Sequence, residues 1–141
     1  MRSDKELRQS YEITTNKQDG IIFFVVLQVV NEKQEDIRQT ELILEDFKKI
    51  FTENPEQKWQ ALIDLRPMPE EGTLTAQGYN NLSKIGLNEQ LTQIAFLGGT
   101  EVQNTLLKNA VEFIGHFGNK LSWFENEQEA KFWLQEMKSK E

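Results

Sequence analysis

The feature that most constrains the fold is an apolar run at residues 21–30, IIFFVVLQVV, which only Gln28 interrupts. Its β-branched and aromatic residues occupy both alternating positions, so a strand here has two apolar faces. Such a strand is either covered on both sides or leaves one apolar row exposed. Because the run is about half the ~20 residues that a membrane span requires, it predicts a sheet strand and no membrane span.

The residues before this run predict a hairpin. Residues 11–15 alternate weakly, and Asp19-Gly20 favours the positive φ values of a tight turn. Residues 1–9 lack both the apolar segment and the cleavage site of a signal peptide. We expect residues 1–9 to form a flexible or loosely packed tail, and the protein to be cytoplasmic.

The rest of the chain alternates between helical and strand patterns. Apolar spacing predicts helices over residues 34–51, 74–85 and 101–117 and a last helix opening at Asn126. Between them, short apolar runs predict strands over 59–65, 92–97 and 121–124. The order β-β-α-β-α-β-α-β-α predicts an α/β fold: a single mixed, mostly parallel sheet of about five strands with about four helices, in one domain over residues 1–141.

Composition excludes several functional classes. With 16 Lys plus Arg against 23 Asp plus Glu, the net charge is −7, which opposes binding to nucleic acid. The absence of cysteine excludes disulfides, thiol nucleophiles and cysteine metal sites. His116 is the only histidine, so neither a metal site nor a Ser-His catalytic pair is expected. We therefore predict a protein that is not an enzyme and has no cofactor.

Candidate functional residues cluster where the two central strands end. In an open α/β sheet the carboxyl ends of parallel strands meet at one edge, which usually carries the working surface. The connection after residue 65 contains Pro67 and Pro69 and is longer than an ordinary turn between a strand and a helix. The predicted partner- or ligand-binding residues are Asp64, Arg66, Thr73, Thr75, Gly98, Gly99 and Thr100.

Each of these residues also has a purely structural interpretation. Asp64 is either a binding carboxylate or the acceptor of an Asx-type bond that turns the chain, and it could contact Arg66. Thr73 is either the N-cap of the following helix or a phosphorylation site. Gly98-Gly99 forms either a tight turn or an anion cradle at a helix N-terminus.

Three stretches carry a family resemblance: ALIDLR at 61–66, QIAFLGG at 93–99 and WFENEQEAKFWL at 123–134. With the order of elements, they resemble the STAS-like domains of the SpoIIAA type, the anti-sigma-factor antagonist fold related to CRAL-TRIO lipid-binding domains. The resemblance implies a non-catalytic regulatory or binding module that docks a protein partner. Through the CRAL-TRIO relationship, the alternative is a carrier or sensor of an apolar small molecule or lipid.

The chain departs from the regulated branch of that family in one respect. Phosphorylatable members place a serine or threonine at the start of the helix after the central strand. Here the loop RPMPEEG intervenes, and the nearest hydroxyls are Thr73 and Thr75. The departure puts the phosphorylation switch in doubt and leaves the fold expectation intact.

The apolar run also predicts self-association. Four helices cannot easily cover both faces of five strands, so one row, such as Phe24 and Val26, would remain exposed. An exposed apolar row commonly marks an interface. We therefore expect a homodimer through the side of the sheet that contains residues 21–30.

Overall fold

The fold comes from a computed structural model that describes residues 2–28, 30, 32–67, 75–98 and 120–140, except for the side chains of Ala76 and Tyr79. The elements in chain order are α1 Asp4–Arg8, β1 Tyr11–Asn16, β2 Ile21–Val26, α2 Lys33–Glu53, β3 Trp59–Asp64, α3 Ala76–Gly86, β4 Leu91–Leu97, β5 Leu121–Phe124 and α4 Glu127–Ser139. The helix predicted over 101–117 lies outside the described residues. Strand β2 ends four residues before the predicted 30.

The sheet has five strands in the order β1-β2-β3-β4-β5. β1 pairs antiparallel with β2, and β2, β3, β4 and β5 pair in parallel. The predicted α/β class, with a mixed and mostly parallel sheet, is confirmed. Because the strand order follows the chain order, each parallel connection advances in the same direction across the sheet.

The predicted hairpin turn forms, but of its Asp-Gly pair only the glycine takes a positive φ. Gly20 has φ +69°, a conformation that an L side chain rarely adopts. Asp19 also accepts a hydrogen bond from Asn16 Nδ2 at 2.9 Å, which closes the turn. A Cβ atom at Gly20 would also lie 3.1 Å from the carbonyl oxygen of Lys58, so a side chain here would add a tight contact to the unfavourable φ.

Helix starts are set by capping side chains. Asn126 caps α4 by accepting a hydrogen bond from the Glu129 amide at 2.8 Å, as the sequence predicts. The N-cap of α3 is Thr75, so the prediction of Thr73 for this role is wrong. Thr75 is bound to a side chain of α2, which fixes the start of α3 at that residue.

The main core lies between one face of the sheet and helices α1, α2 and α3. Phe24 is 5% exposed and packs between the rings of Tyr11 and Phe47, at centroid distances of 5.7 and 5.8 Å. Val26 packs against the same core. The prediction that the row of Phe24 and Val26 is exposed is therefore wrong, because α2 covers it.

The other face carries a smaller core under α4. Ala130 and Leu134 of α4 pack against Leu62 and Ala95. Ile21, Phe23 and Val25 of β2 belong to this face and are half-buried. All three residues of this row are half-buried, whereas in the row of Phe24 only Val26 is half-buried.

The N-terminal residues contain a helix where a loose tail was predicted. A capping box joins Ser3 and Glu6 and starts α1. Leu7 is fully buried in the main core. Asp4 accepts two hydrogen bonds from Arg38 of α2, at 2.9 and 2.8 Å, so these residues pack on α2.

Candidate functional site

Asp64 ends β3 at the carboxyl edge of the sheet, where it pairs with Val25 of β2 and Leu97 of β4. Its carboxylate accepts hydrogen bonds from the Arg66 backbone amide at 3.0 Å, from Nε at 3.0 Å and from Nη2 at 2.9 Å. This is the chain-turning bond of the structural interpretation, and the contact with Arg66 also forms. The loop after β3 therefore begins with a fixed turn.

Asp64 and Arg66 stabilise each other's charged form but differ in how far their side chains are exposed. Burial acts to raise the pKa of Asp64, but the hydrogen bonds and charge of Arg66 outweigh it and hold that pKa below its usual value. The bond to Asp64 raises the pKa of Arg66, and the charge of Glu127 adds to this effect. The Asp64 side chain is 18% exposed whereas that of Arg66 is 46% exposed, so the pair presents a cation outward.

Thr75 sits at the N-terminus of α3 and makes three hydrogen bonds. Its amide and its hydroxyl donate to Asp36 Oδ2 at 3.1 and 2.7 Å. Its hydroxyl oxygen accepts from the Gly78 amide at 2.9 Å. Because these contacts use the hydroxyl as both donor and acceptor, Thr75 is a satisfied helix cap.

Asp36 was not among the predicted site residues, yet it organises this end of α3. It is 3% exposed, and burial raises its pKa although the two bonds from Thr75 act in the opposite direction. A carboxylate near a helix N-terminus is favoured by the helix dipole. In the sequence, Asp36 looks like a solvated residue of an amphipathic helix, and no local signal marks its burial.

The polar contacts between α2 and α3 continue away from Asp36. Asn81 Nδ2 donates to Thr40 Oγ1 at 3.0 Å, and Gln77 Nε2 donates to Asn81 Oδ1 at 3.0 Å. Asn81 and Thr40 are 3% and 1% exposed. The interface between these helices is therefore partly polar, with hydrogen bonds linking the buried groups.

Gly98 follows β4 and is buried. Its amide donates to the Phe124 carbonyl at 3.3 Å, which extends the pairing of β4 with β5. That N–H is therefore not available to a ligand. The other predicted residues, Thr73, Gly99 and Thr100, lie outside the described residues.

The predicted residues are divided between the two faces of the sheet. Asp64 alternates with Ile63, which packs in the main core, so Asp64 belongs to the face that α4 covers. Thr75 instead binds α2, which covers the main core. Within the described ranges no hydrogen bond joins the Asp64–Arg66 pair to Thr75, so the edge holds two separate polar groups.

The opposite edge of the sheet contains a pocket that sequence reasoning missed. Its volume is about 290 Å³, and most of its lining comes from polar and charged residues of the hairpin turn, of residues 56–58 before β3, of the starts of β3 and β4, and of the end of α4. Lys138 Nζ donates to the Asp19 carbonyl at 2.7 Å beside it. Gln60 Nε2 donates to Gln93 Oε1 at 2.9 Å and to the Leu134 carbonyl at 2.6 Å, which ties α4 to the sheet.

In the described part of the chain, no group of three His, Cys, Asp or Glu residues is placed to hold a metal ion. None of its helices combines the length and hydropathy needed to cross a bilayer. His116 lies outside the described residues.

Comparison with known proteins gave no match. A scan against protein-family models, a search of curated proteins and a search of solved structures each returned nothing of significance.

Proposed function

We propose that the chain is a STAS-like regulatory or binding module of the SpoIIAA type, which docks a protein partner through the loops at the carboxyl ends of β3 and β4. Support comes from the order of elements, from the mostly parallel sheet, and from the three stretches that carry the resemblance. Docking depends on the side chains at this edge, and among the predicted binding residues that are described, Arg66 is the exposed one.

The observation that carries the proposal is the fixed but exposed guanidinium of Arg66. Asp64 holds Nε and Nη2, while Nη1 has no hydrogen bond within the part of the chain that is described. An arginine held in place loses little further side-chain entropy when it binds a carboxylate or a carbonyl group. Arginine is also enriched among the residues that dominate binding energy at protein interfaces.

The state of Thr75 favours docking without a phosphorylation switch at this residue. Its hydroxyl is bound to Asp36 and to the Gly78 amide. A phosphate on Thr75 would break the bond to Asp36 and place like charge next to a buried carboxylate. In this proposal the edge therefore binds its partner constitutively through Arg66.

The alternative, carriage of an apolar molecule, predicts an internal apolar pocket of several hundred cubic ångströms. The pocket described above, at the edge of the sheet opposite to Asp64, is lined mainly by polar and charged groups. It does not support that alternative, so protein docking is the function proposed.

Affinity co-purification from the native cell, with mass spectrometry of proteins and lipids, tests the proposal. Arg66→Ala is compared with wild type and with Lys49→Ala, which removes a cation whose side chain is 75% exposed on α2. We expect one protein to be retained by wild type and Lys49→Ala and to be lost by about tenfold or more with Arg66→Ala. Equal recovery with all three chains, or recovery of lipid without a protein, would overturn it.

A further inference from the structure

The face of the sheet under α4 is covered unevenly. α4 packs over β3, β4 and β5, while the row of Ile21, Phe23 and Val25 on β2 is half-buried. On β1 the neighbouring residues of the same face, Glu12 and Thr14, are exposed. β1 and β2 therefore form a slot beside α4, with an apolar floor along β2.

The dimensions of this slot follow from the strand spacing. Neighbouring strands lie about 4.8 Å apart, so two strands make a slot about 10 Å wide. α4 forms one wall, where Lys131 Nζ lies 5.8 Å from the centre of the Phe23 ring. On the other side Glu12 lies at the edge of the sheet and forms no ion pair with any described residue.

We propose that a second copy of this chain fills the slot. A two-fold axis parallel to the strands, above the line midway between β1 and β2, turns the β1–β2 hairpin of one copy over that of the other. The occupant is then two strands wide, like the slot, and each hairpin lies against the α4 wall of its partner. Face-to-face sheets pack about 10 Å apart, the depth that a helix such as α4 occupies.

Charge complementarity selects this occupant. The same rotation carries Glu12 from the outer side of one slot to the Lys131 side of the other. The Glu12 carboxylate thus meets Lys131, whose Nζ also lies 3.8 Å from Glu127 Oε1 of its own helix, and the symmetry makes the contact twice in each dimer. The half-buried row of β2 on each copy then lies beneath β1 of the other, which removes its remaining apolar exposure.

A charge-swap experiment tests the dimer, with sedimentation equilibrium as the readout. The variants are Glu12→Lys, Lys131→Glu and the double variant, all at exposed residues. Glu136→Lys is the matched control, since it makes the same charge change on α4, about 200° around the helix from the buried Leu134.

Wild type and Glu136→Lys should dimerise alike, each single swap should raise the dimer dissociation constant about tenfold or more, and the double variant should return to within about threefold of wild type. Circular dichroism of each variant separates dissociation from unfolding. A wild-type monomer at about 100 μM, or a folded double variant as weak as the singles, would overturn the proposal.

Discussion

Asp36 Oδ2 accepts hydrogen bonds from both the backbone amide and the hydroxyl of Thr75, at 3.1 and 2.7 Å. One buried carboxylate on α2 thus fixes the first turn of α3 and the end of the loop that leads into it. The stability of this edge consequently depends on the ionisation of a residue that sequence reasoning did not single out.

The first prediction concerns pH. Burial raises the pKa of Asp36, and the bonds from Thr75 only partly oppose it. The folded chain then holds this proton more tightly than the unfolded chain, so the contribution of Asp36 to the free energy of unfolding falls as pH rises through the raised pKa. Urea unfolding of wild type and Asp36→Asn from about pH 3 to about pH 7 should show the advantage of wild type shrinking with pH. A difference that grows with pH would contradict it.

The second prediction concerns Gly78, which lies within α3. Replacing a helical glycine by alanine ordinarily stabilises a helix by about 1 kcal/mol. Here the new Cβ atom would lie 2.8 Å from Asp36 Oδ2, so the carboxylate must move and its bonds to Thr75 weaken. We expect Gly78→Ala to lower the free energy of unfolding by about 1–3 kcal/mol.

A matched substitution separates these two effects. Asn80 is exposed on the same helix, so Asn80→Ala changes helix propensity without a clash and should stabilise by about 0.5 kcal/mol. Chemical denaturation measures both variants. If Gly78→Ala stabilised the protein as Asn80→Ala does, the close approach of Asp36 would have no energetic importance.

The third prediction concerns the attachment of α4. Gln60 is 4% exposed, and its amide group donates to Gln93 and to the Leu134 carbonyl. Gln60→Ala removes this donor from the Leu134 carbonyl and leaves Gln93 Oε1 with only its bond from Thr92 Oγ1, which should cost about 1–3 kcal/mol. Hydrogen exchange of the α4 amides should also become faster.

The exposed Gln128 of α4 provides the control. Gln128→Ala should change the free energy of unfolding by less than about 0.5 kcal/mol and leave amide exchange unaltered. Unchanged exchange in Gln60→Ala would mean that apolar packing alone holds α4 on the sheet.

The fourth prediction concerns the N-terminus. Leu7 is fully buried among the main core residues, so Leu7→Ala should cost about 2–5 kcal/mol. Lys5, exposed on the same short helix, should tolerate alanine within about 0.5 kcal/mol. Equal thermal midpoints for the two variants would show that α1 does not contribute to the fold.

Local signals in the sequence predicted those element boundaries that are set by contacts between near neighbours in the chain. Asp19-Gly20 specifies its turn and Asn126 its helix start through bonds within a few residues, and β5 has the predicted bounds. Helix α1 was missed because only Leu7 within it is apolar, which leaves no periodicity to detect. The Ser3-to-Glu6 spacing of a capping box was the available signal.

Properties that depend on distant contacts could not be predicted in this way. Alternation on β2 defines two apolar rows, but only the path of α2 decides that Phe24 is covered. For the candidate site, Asp64 and its bond to Arg66 were accessible because the residues are two positions apart. Asp36 and Thr75 are joined by the tertiary fold, and neither residue type indicates the pairing.

The strand order has a consequence for how the sheet assembles during synthesis. Each strand pairs with the one translated just before it, so a chain leaving the ribosome from its N-terminus adds strands at one growing edge without inserting any between two others. The apolar surface around Leu62 and Ala95 stays uncovered until α4, the last described element, has been synthesised. A nascent chain stalled before that helix would display this surface, and chaperones that recognise exposed apolar groups would bind it there.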